Sequence, residues 1–164
     1  MRRRRNYHNI REGSLIYRGV HFGKNFQTGH FVLIRNPCII GHNVLVGTGT
    51  IIEGHVTIGN NTRIQSAVYI PKYVDIGDNV FIGPCVCITN DKYPPGKMDK
   101  TTIGNNVTIG ANSTLLPGIT IGNSAVIAAG SIVTKDVPMC KMAIGCPAEI
   151  VELPESYTNR IVEL

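Results

Sequence analysis

The sequence of 164 residues predicts an all-β chain wound as a parallel β-helix of hexapeptide repeats, and three regularities predict it. An aliphatic residue stands at every sixth position through Ile34, Ile40, Val46, Ile52, Ile58, Ile64, Ile70, Ile76, Ile82 and Ile88, and again through Ile103, Ile109, Leu115, Ile121, Ile127 and Val133. Further apolar residues stand two positions earlier, at Val44, Val56, Val68, Val74, Val80, Val86 and Val107, a period that belongs to short strands and not to helices. Asn43, Asn61 and Asn79 recur 18 residues apart, where a tight corner demands a positive φ that asparagine tolerates.

Three hexads therefore make one triangular coil. A coil cannot bury its apolar face alone, so neighbours stack about 4.8 Å apart through parallel strand pairing and share one interior. Ile10, Ile16 and Phe22 carry the register backwards, which places coils over residues 10–151 of a single domain. Ahead of them, residues 1–9 form a basic arm; behind them, residues 152–164 form a tail whose end, from Glu155 to Leu164, reads as a short helix or an arm. Hydrophobic residues are 43% of the chain and Trp is absent, so Val, Ile and Ala must fill the core.

The net charge of +5 is unevenly placed. Residues 1–40 hold eight Lys and Arg against one Glu, a balance of +7, and residues 41–164 hold eight against ten acids, a balance of −2. The run Arg2-Arg3-Arg4-Arg5 reads as a solvated terminus and not as a nucleic-acid site. No apolar run approaches the ~18 residues that span a bilayer, and the basic start lacks the apolar segment of a signal peptide, so a soluble cytoplasmic protein is expected. Five cysteines without paired metal-like spacing argue for a reducing compartment and against a disulfide framework. Cys85 and Cys87, opposite in parity to Val86 and Ile88, should point outward.

The repeat breaks once. The corner motif recurs at IGHNV (40–44), IGNNT (58–62) and IGDNV (76–80), each 18 apart, and then at IGNNV (103–107), a step of 27 that leaves nine surplus residues. They fall within Thr89–Thr102, predicting a projecting loop at about 89–102. A long excursion costs closure entropy and buries little, which suits a binding or catalytic element better than a spacer. Asn90, Asp91, Lys92 and Tyr93, with Pro94 and Pro95 behind them, give it a polar and stiff composition.

The segments FIGPCVCITNDKYPP, TIGANSTLLPGITIGNSAVIAAGSIVTKDVP and AIGCPAEIV resemble the hexapeptide-repeat acetyltransferases, nearest the branch that N-acetylates amino groups on nucleotide-linked sugars. The resemblance runs from about residue 30 to 151. It implies a left-handed helix and a homotrimer with acetyl-CoA, the co-substrate, in a groove between subunits and the projecting loop over the thioester. It further implies coenzyme contacts at Gly83, at the stacked pair Ala111 and Ala129, and at Lys135 and Lys141 for the phosphates.

Many of these enzymes use a histidine to deprotonate a hydroxyl, a very weak acid. Here His8, His21, His30, His42 and His55 all precede the loop. A sugar amine needs orientation more than a strong base. The expected mechanism is direct attack of the amine on the thioester, with catalytic Asn90 orienting it, Asp91 taking its proton and amides near Gly83 holding the oxyanion. Gln65, Tyr69 and Tyr93 are the substrate-binding candidates. His55, Tyr73 and Asp91 stand 18 apart and would form one column, which makes His55 a further sugar ligand or base. Ser66 and Pro95 depart from the branch's pattern and leave the acceptor open. Three alternatives stand beside this reading: an O-acetyltransferase using His55, a non-enzymatic β-helix scaffold, and a zinc enzyme of the γ-carbonic anhydrase kind, for which the histidine spacing is wrong, so no metal is expected.

Overall fold

The computed structural model describes residues 9–155 and 157. The arm at residues 1–8 and the helix-or-arm reading of the tail at 156 and 158–164 lie outside the described residues. The described chain is a left-handed parallel β-helix with three sheets of seven, six and eight strands.

The faces are named here by one outward residue each. The Tyr69 face stacks Leu15–Ile16, Leu33–Ile34, Ile51–Ile52, Tyr69–Ile70, Cys87–Ile88, Thr114–Leu115 and Ile132–Val133. The Asp75 face runs from Val20–Phe22 through Val74–Ile76 to Thr120–Ile121, and the Arg63 face from Gln27–Thr28 through Arg63–Ile64 to Val126–Ile127 and a terminal hairpin. Pairing is locked at 18 residues, as in Val56 with Val74 and Thr102 with Thr120, except across the loop, where the step is 27, as in Val74 with Thr101.

Every aliphatic position named from the six-residue period between Ile34 and Val133 is buried, so the interior is one continuous column. Ile16, Val20 and Phe22 are only partly buried, because the first coil has a neighbour on one side alone. Two of the sequence boundaries move. Thr101–Ile103 is already a strand, so the loop closes at 100 and not at 102. Regular coils also stop short of 151: Lys141–Gly145 and Ala148–Glu152 pair antiparallel, and this hairpin covers the end of the Arg63 face.

The Asn61 corner, between the Asp75 and Arg63 faces, explains the asparagines. Asn25, Asn43, Asn61, Asn79 and Asn106 all have φ between 56° and 58°. Each passes a side-chain hydrogen bond to the next, Nδ2 to Oδ1, at 2.9, 3.0, 3.1 and 3.1 Å. A second ladder satisfies the turn amides: Lys24 N–H donates to His42 Nδ1, His42 N–H to Asn60 Oδ1, and Asp78 N–H to Asn105 Oδ1, each at 2.8 Å.

Several inward positions are hydroxyl residues, among them Thr50, Thr62 and Ser113, whose side chains donate to backbone carbonyls. Thr101, the first strand residue after the loop, is fully buried, and its Oγ1 has no hydrogen-bond partner. Burying a hydroxyl without a partner costs about 1–3 kcal/mol. The isosteric Thr101→Val should therefore raise stability by about 1 kcal/mol, read as a higher urea midpoint with an unchanged slope.

Candidate functional site

The Tyr73 corner joins the Tyr69 face to the Asp75 face, and the loop leaves from it. Residues 89–100 lie between the strands Cys87–Ile88 and Thr101–Ile103. At the loop's root Asn90 Nδ2 donates to the Lys72 carbonyl at 3.1 Å, and the Asn90 carbonyl accepts from Asp99 N–H at 2.7 Å. The side chain is thus fixed by its amino group, and its Oδ1 is left as an acceptor.

Asp91 has a different task. Its Oδ1 accepts from Tyr93 N–H at 3.0 Å and its Oδ2 from Gly96 N–H at 2.7 Å, while its backbone bridges Met98. Both carboxylate oxygens are committed to closing the loop, so the geometry favours a brace over a proton acceptor. Tyr93 is 79% exposed at the tip, with Lys92 Nζ 5.8 Å from its ring centre.

The predicted column of His55, Tyr73 and Asp91 forms only in part. His55 and Tyr73 stack with ring centres 5.2 Å apart. Asp91 leaves the column, because the chain departs into the loop and the reset register brings Thr101 N–H onto the Tyr73 carbonyl at 3.0 Å. His55, Asn90, Asp91 and Tyr93 still share one corner.

Gly83, Ala111 and Ala129 lie across the Tyr69 face, at the Ala111 corner where the Arg63 face ends. Coils approach closely there: a Cβ on Gly83 would lie 2.6 Å from Ala111 N, and one on Gly110 would lie 2.4 Å from Ala129 N. The Gly83 amide is spent on the Ile109 carbonyl at 2.8 Å and the Cys85 amide on the Ser66 carbonyl at 3.0 Å, so neither of these two is available to an oxyanion. Five extended residues separate Cys85 from Asn90, about 16 Å. Gly83 and Asn90 therefore belong to opposite edges of the face.

The Ala111 corner offers two other donors. The amides of Ala111 and Ala129 hold the place that side-chain acceptors satisfy at the Asn61 corner, as when Asn105 N–H donates to Asn123 Oδ1 at 2.8 Å. Alanine accepts nothing, and neither amide donates a hydrogen bond within the described residues. Two adjacent N–H groups thus face outward.

Gln65 stands at this same corner, and Tyr69 lies on the face between the two corners, 39% exposed. Partial burial and then the nearby Glu53 carboxylate push the Tyr69 phenol up, so it is a protonated donor at neutral pH. Cys85 is exposed at the corner, and burial raises the Cys87 thiol on the face. The two lysines separate. Lys135 is exposed in the last turn of the Tyr73 corner, whereas Lys141 starts the terminal hairpin beside the Asn61 corner and is ion-paired with Glu152. In one chain they do not meet at Ala129.

Similarity to known proteins bears on the same parts. The family described as "Hexapeptide repeat of succinyl-transferase" matches residues 37–72 and 100–135, and "Bacterial transferase hexapeptide (six repeats)" matches residues 55–90. A galactoside O-acetyltransferase of Escherichia coli K12 is 54% identical over 50 residues, 30% of this chain and 25% of that enzyme. The chain thus spans a quarter of that relative's length. A variant of AntD, an N-acyltransferase of Bacillus cereus solved with dTDP-4-amino-4,6-dideoxyglucose and coenzyme A, shares the fold at a TM-score of 0.70 and 20% identity, over 87% of this chain and 90% of that one. A hexapeptide-repeat-containing acetyltransferase of Vibrio cholerae, solved with acetyl coenzyme A, aligns at a TM-score of 0.50 and 26% identity over 87% and 72%.

Among the described residues no helix is long and apolar enough to cross a membrane. The brace at Asp91 is testable apart from any activity. Asp91→Ala should open the loop to trypsin at Lys92 or Lys97 at least about tenfold faster, while the core's thermal midpoint moves little.

Proposed function

As the chain belongs to the hexapeptide-repeat transferases, we propose that it moves the acetyl group of acetyl-CoA onto the amino group of a nucleotide-linked sugar. The observation that carries this reading is the side chain of Asn90: one N–H of its amino group is tied to the Lys72 carbonyl, which orients Oδ1 as an acceptor suited to an N–H of the substrate. Its relatives support it in kind. AntD is an N-acyltransferase solved with an amino sugar on dTDP, and a Vibrio cholerae relative was solved with acetyl coenzyme A.

In the proposed reaction Asn90 Oδ1 accepts one N–H of the sugar amine and aims the nitrogen lone pair at the thioester carbon. The N–C bond forms, the C–S bond breaks with its electron pair on sulfur, and the surplus proton passes to water or to the thiolate. Asp91 is a positioning residue that fixes the loop on which Asn90 stands. The free amides of Ala111 and Ala129 suit carbonyl groups of the coenzyme's amide-bearing arm, and Tyr69 is a hydroxyl donor on the face between. Tyr93 at the loop tip and Gln65 at the Ala111 corner are the further acceptor contacts. Lys135 is the exposed cation for a coenzyme phosphate, while Lys141 would first have to release Glu152.

Because the Ala111 corner and the loop are a face apart in one chain, a single reaction centre takes the Ala111 corner of one copy beside the loop of another. This supports the homotrimer that the resemblance implies. A second reading has its own observation: His55 shares the corner with Asn90, and the Escherichia coli relative is an O-acetyltransferase. In that case His55 would deprotonate a hydroxyl.

Thiol release from acetyl-CoA against nucleotide-linked amino sugars and their hydroxyl counterparts separates the two. Turnover with amines alone, and a loss of about 10²-fold in kcat for Asn90→Ala, is the expected result. Turnover with hydroxyls would transfer the central role to His55. No release from any acceptor, with no coenzyme bound, would overturn both.

The free amides give an independent check. Ala129→Asn places an acceptor over the Ala111 amide, as Asn123 does for Asn105. It should keep or gain about 1 kcal/mol of stability while raising the KM for acetyl-CoA about tenfold.

A further inference from the structure

The third place of the Tyr73 corner is a left-handed turn. Gly19 and Gly118 fill it in other coils, at φ 97° and 78°. In the two coils directly before the loop it is held instead by His55, at φ 61°, and by Tyr73, at φ 65°. Left-handed backbone disfavours side chains, and a bulky ring there is an outlier. The turn itself asks for nothing larger than glycine or asparagine.

The two rings lie 5.2 Å apart at an interplanar angle of 27°, stacked along the helix axis. An unbroken coil would add a third side chain to this stack from residue 91, but residue 91 is in the loop. The reset register places Lys100 next, and its ammonium is drawn to Asp75 on the adjoining face, 2.5 Å away. No third ring follows, and Tyr73 is 41% exposed. Beside it, the Lys72 carbonyl holds Asn90.

We propose that the His55–Tyr73 stack is a platform for the sugar ring of the acceptor. A pyranose presents a flat face of C–H bonds polarised by the ring oxygens, which suits the negative face of a phenol ring. A ring laid on Tyr73 has its amino substituent toward Asn90, which stands on the next coil over Lys72, the residue before Tyr73. Tyr73 is then a specificity-determining residue, and His55 supports its far face. The amine's placement rests on the acetyl-transfer reading; the platform itself does not.

Tyr73→Gly removes the ring and relieves the left-handed backbone, and Tyr73→Phe keeps the ring. The glycine variant should hold its thermal midpoint and its KM for acetyl-CoA while the KM for the amino-sugar acceptor rises about tenfold, and the phenylalanine variant should stay near the parent. Should the glycine variant not fold, Tyr73→Asn keeps the turn and serves in its place. Saturation-transfer NMR on the parent protein with a nucleotide-linked amino sugar gives a readout without turnover: irradiating aromatic protons should mark the pyranose protons, and the mark should vanish in Tyr73→Gly. Transfer to the nucleobase alone, or an unchanged acceptor KM in Tyr73→Gly, would overturn the platform. Pyranose transfer without acetylation of any acceptor would sink the acetyl-transfer reading and leave the platform standing.

Discussion

The parallel backbone ladder that ties each residue to the one 18 positions on is the constraint from which the rest of the molecule follows. It fixes the spacing of coils at about 4.8 Å and makes the interior a column in which each aliphatic side chain packs on its own kind above and below. A chain held this way has little freedom on its faces. Its variety is confined to corners, where three residues turn and the ladder leaves an amide over.

What the following coil offers that amide distinguishes the corners. At the Asn61 corner the next coil supplies Asn60, Asp78, Asn105 or Asn123, and the turn amide is satisfied inside the chain. At the Ala111 corner the same place is Ala129, so the amide stays available to something outside. A corner of asparagines is finished as structure; a corner of alanines is open as a surface of donors. The cost is small, since water can serve an exposed N–H, and the gain is directionality that a flexible side chain would have to be ordered to provide.

The period of the aliphatic residues made the coils, their burial and the presence of one interruption legible in the sequence, because parallel in-register stacking repeats the same environment every 18 residues. The two-residue error at the end of the loop has a local cause. Thr101 and Thr102 read as polar loop residues, yet the ladder continues as soon as Val74 has a partner, and Thr101 goes inward with its hydroxyl unpaired. The hairpin at Lys141–Glu152 escaped for a related reason: an antiparallel pair on the outermost coil has no 18-residue partner to announce it. At the candidate site, the sequence offered residue types, and only the coil shows which of them share a corner. Gly83 and Asn90 are seven residues apart in sequence, and a coil of three faces puts a whole face between them. The free amides of Ala111 and Ala129 left only a faint signal, the lack of a side-chain acceptor where the neighbouring corner supplies one from Asn60 to Asn123.

The interruption is also what makes a reaction centre conceivable in so regular a fold. Inserting nine residues at one corner changes the register from 18 to 27 without losing a strand pair, so the ladder survives on both sides of the loop. The loop inherits a rigid root from the coil, through Thr89 Oγ1 donating to Leu115 O at 2.9 Å and Asn90 to Lys72 O, and it gains a rigid tip from the Asp91 brace. It thereby holds the Asn90 side chain against the coil at the loop's root in a fixed orientation. Since that side chain and the free amides sit at opposite edges of the Tyr69 face, neither corner is complete by itself. A second copy that brought its own Ala111 corner to the loop would join the two with no further change in the coil, as the proposed trimer requires.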